Sequence, residues 1–155
     1  MNNPFWDFSL LAYQQESVSD LCMRLQDECG LDVNLLLYAA WQADCGVRLD
    51  RQHVLQIETL IAPWRERVVV PLRGLRQGLR DYPPAAGFRE RIKGLELESE
   101  HRQQEIMCRF SEGRKYVVEA GNWLRQNLSQ VGEETAIEGS EYEVMLDQLA
   151  AALGR

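Results

Sequence analysis

The sequence predicts an all-α protein, a single-domain bundle of about six or seven helices with a long kinked central helix. Three observations carry this prediction. Apolar residues recur at helical spacing in most segments, and no run alternates apolar and polar residues as a half-buried strand does. Short polar residues stand before several of these runs and glycines after them, in the pattern of helix caps. The one short β-like run, Val68-Val69-Val70, has helical flanks. With 155 residues, 45% hydrophobic and 26% charged, the chain can bury one core and is too apolar for disorder, so residues 1–155 are read as one domain.

Pro4 precedes an apolar run over 5–13, where a proline suits the first helical turn. Ser17-Val18-Ser19-Asp20 resembles a capping box with Asp in place of Glu. The helix it opens carries Val18, Leu21, Cys22 and Leu25, and Gly30 is placed to close it. Asp32 then caps a helix from 33 to about 45, which Gly46 ends. Val33, Leu35, Leu36, Leu37, Tyr38, Ala39, Ala40 and Trp41 face several sides of it, which predicts the most buried helix of the bundle. Asp50 caps a longer pattern in which Val54, Ile57, Ile61 and Trp64 face one way. Pro63 and Pro71 interrupt that pattern. An interior proline costs about 3 kcal/mol and kinks or restarts a helix, so 51 to about 81 is expected as one kinked helix or two end to end.

Tyr82-Pro83-Pro84-Ala85-Ala86-Gly87 breaks the pattern and reverses the chain. Residues 88–109 follow as a long charged helix whose apolar positions, Ile92, Leu95, Ile106 and Phe110, are sparse in the middle. That predicts a partly exposed helix, or one that pairs with a second copy of the chain as a homo-oligomer. A helix over 115–128 comes next, with Val117, Val118, Trp123, Leu124 and Leu128. A polar loop over about 129–140 and a short C-terminal helix over 142–153 (Val144, Leu146, Leu149, Leu153) complete the chain.

The net charge of −7 disfavours free nucleic acid and anionic lipid as partners unless the charge is segregated. No stretch reaches the roughly 20 apolar residues that span a bilayer. The first ten residues hold no basic region and no long apolar core, so no secretory signal is read there and a cytoplasmic location is expected. Cys22, Cys29, Cys45 and Cys108 show neither C-x-x-C spacing nor a histidine at metal-site spacing, and are read as small core hydrophobes.

Three stretches resemble one family. They are Phe5-Trp6-Asp7-Phe8-Ser9-Leu10; Leu25-Gln26-Asp27 through Gly30 into Asp32-Val33-Asn34-Leu35-Leu36-Leu37 and Trp41; and Trp64-Arg65 with Val68-Val69 and Pro71-Leu72-Arg73. A later run, Leu95-Glu96-Leu97-Glu98, looks similar too. Over about the first 105 residues the chain resembles an uncharacterised family of small proteobacterial proteins, a domain of unknown function. The resemblance implies an all-helical cytosolic protein and brings no activity, cofactor or catalytic residue.

Two constellations stand out. In the first, Arg65, Arg73, Arg76 and Arg80 form a stripe beside the apolar stripe of Val68, Leu72, Leu75 and Leu79, taken at about 100° per residue. Arginines so arranged engage carboxylates or phosphates bidentately. The leading expectation is a protein-binding adaptor or regulatory module that docks an acidic partner through this ridge, with Trp64 as aromatic anchor. RNA or ribosome contact by the same ridge is a weaker alternative, because the net charge opposes it and no aromatic stacking platform accompanies the arginines. An internal pairing of the ridge with the acidic 96–105 segment is the purely structural alternative.

The second constellation is Trp6, Asp7, Gln26, Asp27, Asp32 and Asn34, which together suggest a polar pocket for a small molecule or an enzyme's substrate. Helix capping by these short polar residues is the bland alternative. Glu96, Glu98 and Glu100 beside His101 raise metal ligation, and Glu98 and His101 have the i, i+3 spacing of a di-metal carboxylate motif. The second such motif is missing, since His53 and Glu58 are five apart, so a solvated face is preferred and no metal or cofactor is expected. Asp44 and Asp50 stand alone rather than in the paired aspartate motifs that hold magnesium against diphosphate. No phosphate-binding glycine loop and no nucleophile motif is present, so no catalytic residue is assigned.

Overall fold

The computed structural model describes residues 2–114, 120–132 and 140–154. Among these residues every regular element is helical and there is no β-strand. The helices are α1 (Pro4–Tyr13), α2 (Glu16–Cys29), α3 (Val33–Asp44), α4 (Arg51–Trp64), α5 (Val70–Gly78), α6 (Ala86–Glu112), α7 (Leu124–Gly132) and α8 (Ser140–Leu153). A π-helical turn, Arg65–Val69, joins α4 to α5, so the two run on as one bent rod.

The caps read from the sequence do much of the placing. Asp32 accepts from the Asn34 amide at 2.8 Å and Asp50 from the His53 amide at 2.7 Å. Gly30 ends α2 at φ 67°, a left-handed conformation that favours glycine, and Gly46 follows α3 at φ 77°. Asn3 caps α1 by accepting from the Trp6 amide at 3.0 Å, with Pro4 at the first turn. The capping box at Ser17 does not form. α2 begins at Glu16 behind Gln15, which makes no side-chain cap, so Ser17 is already inside the helix.

α3 is the central helix, with ten consecutive residues from Val33 to Gln42 buried. The core around it is one cluster that draws on α1, α2, α4, α6, α7 and α8. Phe5 stacks on Trp41 at 5.2 Å between ring centroids and meets Tyr38 edge-on at 5.7 Å. Asn127 of α7 is fully buried and ties that helix to the chain between α3 and α4. Its carboxamide accepts from the Leu49 amide at 2.8 Å and donates to the carbonyls of Val47 and Ala39 at 2.9 and 3.2 Å.

Pro63, expected to interrupt the pattern, lies inside α4, which runs on to Trp64, whereas the disturbance expected at Pro71 is met by the π turn before it. Pro71 has no N–H to continue the α-helical ladder, and the strain is taken up by the i→i+5 turn before it, where the Val70 amide reaches the Arg65 carbonyl. That extra residue rotates α5 relative to α4, so a stripe drawn at constant 100° does not continue across it. α5 also ends at Gly78, which leaves Leu79 and Arg80 outside the helix.

Two expected boundaries are corrected. Gly121 adopts φ 152° and residues 120–123 are not helical, so α7 starts at Leu124; the 115–119 part of that expected helix lies outside the described residues. Residues 129–132, expected as loop, are the last turn of α7, and 133–139 lie outside the described residues. Of the cysteines, Cys22 and Cys108 are buried as core hydrophobes, but Cys29 is half-buried and Cys45 exposed.

α6 departs most from expectation. Its centre is poor in apolar residues because the face it buries is polar, not because it is bare. Ile92, Glu96, Ser99, Gln103 and Met107 are all buried, at the four-, three-, four- and four-residue steps of one helical face. Of the apolar positions read from the sequence, Ile92 is buried, Ile106 and Phe110 pack against the core, and Leu95 stays exposed.

Candidate functional site

The polar face of α6 looks into a cavity of about 630 Å³ walled by α1, parts of α2 and α3, α4, the π turn, α5, α6 and the end of α7. Four arginines, Arg51, Arg65, Arg73 and Arg76, and four carboxylates, Asp32, Glu58, Glu96 and Glu100, line it. Ser9, Asn34, Gln103 and Gln104 add buried polar groups, Gln26 and Gln130 add two more carboxamides, and largely apolar side chains cover the rest. The two constellations read separately from the sequence therefore share one space.

Asp32 is the junction. Its Oδ1 caps α3, while its Oδ2 accepts from Arg65 Nη1 at 3.1 Å and from Gln103 Nε2 at 3.0 Å. The π turn brings Arg65 round to this position. Arg65 also grips Glu58, seven residues back on α4, through both Nη atoms, one of them at 2.9 Å. The bond to Glu58, with help from Asp32, holds the Arg65 guanidinium more firmly protonated than usual. Beside this cluster the Gln104 carboxamide donates to Asn34 Oδ1 and Ser9 Oγ, both at 3.0 Å, and joins α6 to α3 and α1.

A second cluster lies on the α5–α6 side. Arg76 binds Glu96 bidentately, with Nη2 to Oε1 at 3.2 Å, and that bond raises the Arg76 pKa. Arg73 reaches Glu96 through Nε and Glu100 through Nη2, each at 3.3 Å. Glu96 is 6% exposed and its position rests on the two guanidiniums. Burial pushes the Glu100 carboxyl above the ordinary carboxylate range against the opposing pull of Arg73.

The cavity brings together Trp6, Gln26, Asp32, Asn34, Arg65, Arg73 and Arg76 from the residues singled out in the sequence. It leaves out four. Asp7 and Asp27 are exposed on the outer sides of α1 and α2, and Arg80 is exposed past the end of α5. Trp64 is half-buried and donates its indole N–H to the Ser99 carbonyl at 2.8 Å, an internal contact rather than an outward one. Arg65, Arg73 and Arg76 are internally paired; Arg73 and Arg76 meet Glu96 and Glu100 of the 96–105 segment, the structural alternative read from the sequence, whereas Arg65 pairs instead with Asp32 and Glu58.

Sequence reading missed Glu58, Glu96, Glu100, Gln103 and Gln104 as members of one site. The signal was present as a polar stripe at core periodicity on α6. His101, considered as a metal ligand beside Glu98, instead stacks on Trp6 with centroids 4.2 Å apart. Among the described residues no group of three His, Cys, Asp or Glu side chains is arranged to hold a metal ion, and no helix is long and apolar enough to cross a membrane. Among the described residues no histidine or cysteine lines the cavity. His53, buried in the core, bonds Tyr38 through Nε2 at 2.7 Å.

No curated protein and no solved structure matches this chain. A family of unknown function matches residues 4–107, well over half of its length. Among the described residues the matched span holds every charged side chain of the cavity and all its polar ones except Gln130, whereas α7 and α8 lie beyond it. On that match the chain belongs to the family described as "Protein of unknown function (DUF2390)".

Proposed function

We propose that this protein binds a small polar molecule in the cavity between α1 and α6. The carrying observation is the convergence of four arginines, four carboxylates and buried carboxamides on one space of about 630 Å³. A cavity with a mostly apolar wall and a few converging polar groups is the usual form of a ligand site, and this volume lies within the usual range of about 300–1,000 Å³. Buried ion pairs are a poor source of stability, since well-packed apolar residues do as well or better. Keeping seven charged groups half-buried or deeper around open space is better explained by recognition than by scaffolding.

The pairing of Arg65, Arg73 and Arg76 favours this reading over the docking of an acidic protein. Such a partner would have to break those pairs, and would meet only Arg80 as an exposed member of the ridge. The activity we propose is binding, which the paired charges and buried carboxamides of the lining support directly.

A thermal-shift screen of a metabolite library, on wild type and on Gln103→Leu, tests the proposal. Gln103 is 1% exposed and reaches Asp32 at the floor of the cavity. A ligand at about 100 times its Kd adds about 2.7 kcal/mol of stability. For a chain of this size that is a rise of about 5–11 °C in Tm. The proposal expects at least one compound with such a shift in wild type and a much smaller one in the variant. Equal shifts in both proteins, or none across the library, would count against it.

A further inference from the structure

We infer that the ligand is a zwitterion with an apolar side chain, of the class of apolar α-amino acids, held by Arg73 and Glu100. The inference rests on the cavity being a ligand site and names what it takes.

The first ground is charge balance. Among the described residues four guanidiniums and four carboxylates line the cavity, so the lining carries no net charge that would favour a net anion or a net cation. A ligand that carries one charge of each sign leaves the balance intact.

The second ground is that one pair is visibly under-used. Arg65 and Arg76 each hold a carboxylate bidentately. Arg73 makes two single hydrogen bonds, both at 3.3 Å, well beyond the usual 2.7–2.9 Å of a charge-assisted bond. Its Nη1 makes no hydrogen bond among the described residues. Glu100 accepts only one of these bonds, on Oε1, and its Oε2 accepts none among the described residues. The pair therefore presents unused donors beside unused acceptors. A ligand carboxylate fits the free Nη edge of Arg73 and an adjacent ammonium fits Oε2 of Glu100, which turns one loose pair into two close ones.

The third ground is the surroundings. Val70 lies three residues before Arg73 on α5, and Leu97 three residues before Glu100 on α6, so each shares a face with its charged neighbour. Tyr13 of α1 is within electrostatic reach of both charges. All three line the cavity, and they are 47%, 56% and 39% exposed. An apolar side chain laid across them removes that surface from water.

Calorimetric titrations with L-leucine, N-acetyl-L-leucine, L-leucinamide and isopentylamine test this. On wild type, leucine is expected to bind at least about tenfold more tightly than each of the other three, since each lacks the group that would meet Arg73 or Glu100. Arg73→Met should bind leucine no better than isopentylamine. Glu100→Gln should bind leucine no better than N-acetyl-L-leucine. Each comparison is made within one folded variant, so a general loss of stability does not imitate it.

Equal binding of leucine and N-acetyl-L-leucine by wild type would overturn the assignment of Glu100, and equal binding of leucine and leucinamide that of Arg73. If none of the four binds while another library compound binds in a Gln103-dependent way, the ligand class falls and the cavity reading stands. If no library compound binds either, both fall.

Discussion

Asp32 is the residue whose replacement tests the architecture of the site most severely, because one side chain does three jobs. Asp32→Ala removes the cap of α3, worth about 1 kcal/mol. It strands Gln103 Nε2, a donor on a side chain only 1% exposed, at about 1–3 kcal/mol. It also takes one of two carboxylates from Arg65. Breaking a buried pair outright costs about 3–5 kcal/mol, but Arg65 keeps Glu58 and is one-fifth exposed, so about 1 kcal/mol is assigned. The three losses share one network and do not add fully, which gives about 3–4 kcal/mol. At this chain length that corresponds to a Tm lowered by about 6–16 °C. Asp32→Asn keeps an acceptor for the cap and is expected to lose about 1 kcal/mol, chiefly at Arg65. Urea unfolding of the three proteins, with m checked for constancy, is the assay. If Asp32→Ala costs no more than the cap alone, about 1 kcal/mol, the junction is not holding Arg65 and Gln103 and the reasoning fails.

Three further predictions concern the core. Burial, assisted by Arg114, lowers the His53 pKa from its ordinary 6.5 to about 4. The unfolded chain therefore binds the extra proton first, and the stability His53 contributes is full above about pH 7 and is lost as pH falls from 6.5 towards 4. Between pH 7 and pH 5 wild type should lose about 2 kcal/mol more than His53→Gln; parallel losses, or an imidazole titrating near 6.5 by NMR, would refute this. A Cβ added at Gly132 would lie 1.7 Å from the Tyr142 hydroxyl where α7 meets α8, so Gly132→Ala should destabilise by about 1–3 kcal/mol, and a neutral result would mean those helices pack differently. In the native protein a thiol reagent at mildly alkaline pH should label exposed Cys45 first. Cys22, buried and with its thiol pushed up to about 12, should react only after unfolding, and early labelling of Cys22 would contradict the packing of α2.

What the sequence made legible and what it did not divide along a physical line. Asp32, Asp50, Gly30 and Gly46 act on their own neighbours within a few residues, so their roles could be read locally. The burial of Val33 to Gln42 was readable because apolar groups on several sides of a helix have no favourable exposed orientation. Ser17 misled because several polar residues stand near the start of α2, and the chain begins the helix two residues earlier without a side-chain cap.

The site was harder to read for a different reason. Its partners come from α5 and α6, more than twenty residues apart in the case of Arg73 with Glu96 and Glu100, and local spacing carries no record of such pairing. Glu96, Ser99 and Gln103 keep the periodicity of a buried face but not its hydrophobicity, so a reading keyed to apolar residues assigned that face to solvent. The π turn adds a further obstacle. Pro63 and Pro71 announce a disturbance, but whether it is met by a kink, a break or an inserted residue depends on what the helix packs against. That choice decides where Arg65 points relative to Arg73 and Arg76.

The most direct measurement of the central claim is a side-chain amide spectrum of isotope-labelled protein, recorded before and after adding the low-molecular-mass fraction of a cell extract. Gln103, Gln104 and Asn34 carry carboxamides buried at the floor of the cavity, and the Trp6 indole stands on its wall. The account predicts saturable shifts in these signals, with the amides of Gln148 and Gln52, on exposed faces of α8 and α4, unchanged. Cavity amides that stay silent in that fraction, while signals around Arg80 respond only to the macromolecular one, would contradict it.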